Sequence, residues 1–116
     1  MNKDKFNLIL NRLLELTETE QLDWKTTGNP ATFLLALEGS AISINAYFGS
    51  EDSTITFEFR NERGEIVESF PVQLREDKNS FEKASKLYQL ANGKAVNSDK
   101  TLDRILEQLN TGSIAA

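Results

Sequence analysis

Cysteine and histidine are both absent from this sequence. Without cysteine there is no disulfide framework and no thiol nucleophile. That usage fits a reducing compartment, and the cytoplasm is the expected location. Without histidine the commonest general base, the Ser-His nucleophile pair and the usual zinc ligand are gone. Zinc would have to rest on carboxylates alone, so neither a metal nor a cofactor is expected. Long apolar runs are missing too, and nothing approaches the ~18 consecutive apolar residues of a membrane span. Residues 1–20 interrupt their leucines with Asn, Arg and Glu, so no signal-peptide core is expected there.

Basic residues are the scarcer charge, 13 against 18 acidic, for a net charge of −5. That balance opposes nonspecific binding to nucleic acid or anionic lipid. Lys78, Lys83, Lys86, Lys94, Lys100 and Arg104 do gather in the C-terminal third, but Glu82, Asp99, Asp103 and Glu107 are interleaved with them. Nucleic acid is therefore not the expected partner. The Gly-Ser pairs at 39–40 and 49–50 lack a following lysine and helix, so neither is a phosphate loop. "GSEDST" lacks the ligand spacing of a calcium loop.

What the sequence does contain is two clear periodicities. Phe6, Ile9, Leu10, Leu13, Leu14 and Leu16 recur at three- and four-residue spacing, which predicts a helix over 4–20. From Leu22 the period drops to two. "LDWKT", "TFLLALE", "AISINAYF", "TITFEFR" and "EIVESF" alternate apolar and polar residues and are separated by short polar turns, the pattern of an antiparallel meander with one dry face. Phe33, Leu35, Ile42, Ile44, Ile55, Phe57 and Phe59 belong to that face, with Ile66 and Phe70 on the returning strand. The helical period resumes after Asn79 or Ser80, with Phe81, Ala84, Leu87, Tyr88, Ala91 and Ala95 inward. A last helix carries Leu102, Ile105, Leu106 and Leu109 in a stripe about 100° wide.

A sheet with one apolar face must be covered, and the helices are the available cover. The predicted fold is a single α+β domain over 1–116. It is a two-layer sandwich with an N-terminal helix, a meander of four to five strands and two C-terminal helices on one face of the sheet. Residues 111–116 are expected to fray.

The segments "LLELTETEQLDWKTTG" and "LYQLANGKAVNSDKTLDRILEQL", through Leu22, Trp24, Leu87, Tyr88, Ala91, Leu102, Ile105 and Leu109, resemble a loose group of small bacterial proteins of unassigned function. The resemblance spans most of the chain and implies the same order of helix, meander and C-terminal helices. Its anchors are packing residues, so it implies no activity. Asn92-Gly93 stands where similar proteins have basic residues, a departure that removes any basic site from what the resemblance implies.

Three sets of residues can carry function. Glu58, Glu65 and Glu68 lie on or beside adjacent strands, where paired carboxylates can support acid–base or glycosidic chemistry if burial raises one pKa. With Arg60 and Arg63 beside them and the dry face on the other side, a solvated polar cluster of Glu58, Arg60, Glu65 and Glu68 is expected instead, and no enzyme. Trp24 is in phase with Leu22, which predicts a core position rather than a ligand contact. The first helix is apolar over roughly 240°, well beyond the stripe needed to lie on one sheet. Leu8 and Leu14 border the excess and form the expected interface. The chain reads as a non-enzymatic protein-interaction module, with a second copy favoured over another protein as the partner. A small apolar ligand between sheet and helices is the alternative, and a carboxylate-dependent enzyme the weaker one.

Overall fold

The computed structural model describes residues 1–112. Helix α1 (Lys3–Glu18) begins at Asn2, whose Oδ1 accepts the Lys5 N–H at 2.7 Å. That bond satisfies one of the first-turn amides no helical carbonyl can reach. Its buried line is Phe6, Leu10, Leu13 and Thr17. Glu20, with φ 61°, turns the chain out of the helix.

Five strands follow: β1 (Trp24–Thr26), β2 (Thr32–Leu37), β3 (Ser40–Phe48), β4 (Ser53–Arg60) and β5 (Ile66–Gln73). They pair in sequence order, each antiparallel to the next. The meander and its short connecting turns are thus as expected. At the tight β2–β3 turn Gly39 has φ 73°, a conformation that costs glycine nothing and other residues strain. At the β3–β4 turn a side chain on Gly49 would sit 2.6 Å from the Asp52 carbonyl oxygen, so only glycine fits.

The register sets the inner face row by row. Trp24, Leu35, Ile42, Phe59 and Glu68 form one row, and Phe33, Ile44, Phe57 and Phe70 the next. The irregularity falls between Phe59 and Arg60, where Arg60 pairs with Ile66 but Phe59 pairs with Glu68. The extra residue, Val67, reverses the alternation of β5. Ile66, expected on the dry face, is therefore an exposed residue opposite Arg60, and Glu68 faces the helices.

Helix α2 (Lys78–Val96) starts two to three residues earlier than the polar run suggests, because Asp77 is its cap and accepts the Ser80 N–H at 3.1 Å. Lys3–Asp77 at 2.8 Å, Lys86–Glu18 at 3.3 Å and Lys94–Glu20 at 2.9 Å link α1 and α2 from their starts to their ends, so the two helices run parallel. Together they cover the sheet. Phe81, Ala84, Leu87 and Ala91 are buried between them and the strands, and the Tyr88 hydroxyl donates to the Ala31 carbonyl at 2.9 Å. Ala84 and Ala91 are fully buried, as a close approach of α2 to its neighbours requires. Ala91→Leu is expected to overpack this contact and cost about 1–3 kcal/mol. An unchanged urea midpoint would show that space exists there.

Helix α3 (Ser98–Thr111) departs from expectation. It neighbours α2 rather than lying on the sheet, and every residue from Lys100 to Gly112 is exposed. The cause is local and global at once. Asn97 at φ 54° turns the chain at the end of α2, and α1 and α2 already occupy the inner face. The radius of gyration is 16.6 Å, against ~13 Å for a compact chain of about this length. A helix standing off the body accounts for that excess. Gly112 ends α3 with φ 72°, and the expected fraying of 113–116 falls outside the described residues.

Candidate functional site

The apolar stripe of α3 is the most prominent surface feature of the described residues. Leu102, Ile105, Leu106 and Leu109 are between 47% and 62% exposed. At about 100° per residue they span roughly 100° of the helix, so they form one continuous strip. The charged residues Lys100, Arg104 and Glu107 fall on the far side. Thr101 and Gln108 border the strip on one margin, Asp103 and Asn110 on the other. Large aliphatic side chains usually share a core, and an exposed row of them marks an interaction surface.

The residues expected at an interface are separated by the fold. Leu8 is 72% exposed on the outer side of α1, whereas Leu14 is half-buried against the core. The core thus accounts for part of the wide apolar arc of α1, and Leu8 stands without an apolar neighbour of its own kind beside it on that helix.

The polar cluster is also divided. Glu58 and Arg60 lie together on the outer face, 3.8 Å apart, with the Ser43 hydroxyl 3.5 Å from the same carboxylate. Glu65 pairs instead with Arg63 at 2.9 Å in the β4–β5 turn. Glu68, turned inward by the bulge, accepts the Met1 ammonium at 2.8 Å. Glu58 and Glu68 are on opposite faces of the sheet and cannot act as a carboxylate pair. Trp24, by contrast, is where its phase predicts, 1% exposed, with its indole N–H donating to the buried Thr17 hydroxyl at 3.1 Å.

Among the described residues, two open grooves at the rim stand out. One, of about 260 Å³, runs between the starts of α1 and α2 and the end of β5, past Lys3, Asn7, Phe70, Gln73, Glu76 and Asp77. The other, about 320 Å³, lies beside Tyr47, Gly49, Asp52 and Arg75. Several of their polar groups are engaged with the fold: Asp52 accepts the Ser53 and Arg75 backbone N–H groups at 2.8 and 3.2 Å. In the first groove the Lys3 ammonium and the Ser80 N–H hold the Asp77 carboxyl well below its usual 3.8, at about 2.

A carboxyl depressed in the folded state stabilises the fold above its unfolded pKa and loses that effect as pH falls through the folded one. The contribution of Asp77 is therefore present above pH 3.8 and lost toward pH 2. Asparagine caps a helix about as well as aspartate, so Asp77→Asn isolates the charge. Wild type should lose more stability than Asp77→Asn between those pH values in acid titrations followed by circular dichroism. Parallel curves would refute the Lys3–Asp77 contribution.

Among the described residues no group of three or more Asp, Glu, His or Cys is placed to hold a metal ion, and no helix is long and apolar enough to cross a membrane. Searches against protein-family models, curated proteins and solved structures found no match to this chain.

Proposed function

We propose that the protein is a non-enzymatic protein-interaction module whose binding element is the apolar strip of α3. The observation that carries this reading is the exposure of Leu102, Ile105, Leu106 and Leu109 together on one helix. Their i, i+3, i+4, i+7 spacing is the set of anchors an amphipathic helix presents to an apolar partner surface. Covering what is still exposed on such side chains is worth about 1 kcal/mol apiece, given 1.5–3 kcal/mol for burying each completely. A protein surface complementary to the strip would thus gain about 4 kcal/mol from these four residues alone.

The rival readings draw less support. The space between sheet and helices is filled by Phe6, Leu10, Trp24, Phe57 and Leu87, each nearly or fully buried, where a small apolar ligand would need room. The acids that an enzyme would use are split between the two sheet faces.

Photo-crosslinking in the source cell tests the proposal. A benzophenone side chain replacing Leu106 should give a discrete adduct, and the same group replacing the exposed Glu62 in the β4–β5 turn should not. Absence of any adduct from positions 102, 106 and 109 would overturn it.

A further inference from the structure

We propose that the partner seated on α3 is a second copy of this chain, the two α3 helices running antiparallel about a twofold axis between Ile105 and Leu106. This rests on α3 being the binding element and names its occupant. A twofold interface requires a patch that is complementary to itself. The strip satisfies that requirement in its spacing: 102, 105, 106 and 109 are separated by three, one and three residues, so the pattern reads the same in both directions. Reversal sets Leu102 against Leu109 of the other copy and Ile105 against Leu106.

The margins meet the same condition. In an antiparallel pair each margin faces its own kind, so Thr101 lies within about 3 Å along the axis of Gln108 of the other copy, and Asp103 within about 3 Å of Asn110. The two Asp103 residues are offset by roughly 7–8 Å along the axis, so no like charges are set directly opposite. Charge is compatible with self-pairing. Helix α3 holds two cations, Lys100 and Arg104, and three anions, Asp99, Asp103 and Glu107, so it carries only one unit of the net charge of −5. Two copies meet here with less repulsion than the net charge of the whole chain would bring. The antiparallel sense also sets the positive end of each helix dipole beside the negative end of the other.

Sedimentation velocity on the whole chain should show a dimer growing in as concentration rises from about 1 to 100 μM, the range of a weak contact. Leu106→Glu, at an exposed position outside the core, should raise the dissociation constant by more than about tenfold while the circular dichroism of the body is kept. Because the chain has no cysteine, the direction of pairing can be read by disulfide trapping. Two copies of residue 102 are roughly 10 Å apart along an antiparallel pair, beyond the 4.4–6.8 Å a disulfide spans. Leu102→Cys alone and Leu109→Cys alone should therefore stay unlinked, and an oxidised mixture of the two should link.

A monomer throughout, a dimer indifferent to Leu106→Glu, or single variants that link as readily as the mixture would each overturn the antiparallel pair. A purified monomer whose position-106 photo-adduct contains a different protein refutes self-pairing and leaves α3 as the binding element. A monomer with no adduct refutes both.

Discussion

Trp24→Ala should lower the free energy of unfolding by about 3–5 kcal/mol, the range for emptying a buried aromatic site. Trp24 opens the inner row of the sheet, paired in register with Leu35, and is 1% exposed. Its indole N–H is the partner of the Thr17 hydroxyl on α1, 3.1 Å away in a dry environment. The substitution thus removes both a large packed ring and the donor that satisfies a buried oxygen. Trp24→Phe separates the two effects, since it keeps most of the ring and leaves Thr17 without its donor, at a cost of about 1–3 kcal/mol. Urea unfolding followed by circular dichroism reads both variants. A loss below about 1 kcal/mol for Trp24→Ala would mean that the indole is not a core anchor.

Phe6→Ala is the second large loss, also about 3–5 kcal/mol. Phe6 stacks on Phe70 with ring centres 3.9 Å apart and meets Phe57 edge-on at 5.1 Å. It is the main aromatic contact between α1 and the far strands of the sheet, and it also walls the groove beside Lys3. For a domain of this size each kcal/mol moves the melting temperature by roughly 4–8 °C, so a fall of well over 10 °C is expected in a thermal scan. A melting temperature within about 3 °C of wild type would show that α1 is held to the sheet by other contacts.

The sheet was legible because one rule governs it. Alternation puts Phe33, Ile44, Ile55 and Phe57 on one side, and the register does so too. Trp24 followed from its phase with Leu22 by the same rule. Where the rule is locally suspended the sequence misleads. A single extra residue at Val67 exposes Ile66 and turns Glu68 inward, and nothing in "EIVESF" marks the bulge. The cap of α2 was visible in principle, since Asp77 stands three residues before Ser80, the spacing at which a carboxylate reaches a first-turn amide.

The exposure of α3 was not visible at all. A narrow apolar stripe records only that a helix needs an apolar surface. Whether that surface lies in the same chain depends on where the chain turns at Asn97 and on how much of the sheet α1 and α2 already cover. Leu8 shows the converse: the wide apolar arc on α1 predicts an interface there, while the core accounts for Leu14.

The central claim is that the apolar side chains of α3 are outside the core and free to bind. Urea unfolding of the double variant Leu102→Ala/Leu106→Ala, at a concentration low enough to keep the chain monomeric, tests it most directly. If the strip faces water, the free energy of unfolding stays within about 0.5 kcal/mol of wild type, as for other surface changes. If α3 lies on the body of the protein, two emptied leucine sites would cost about 4 kcal/mol or more, and the account would be contradicted.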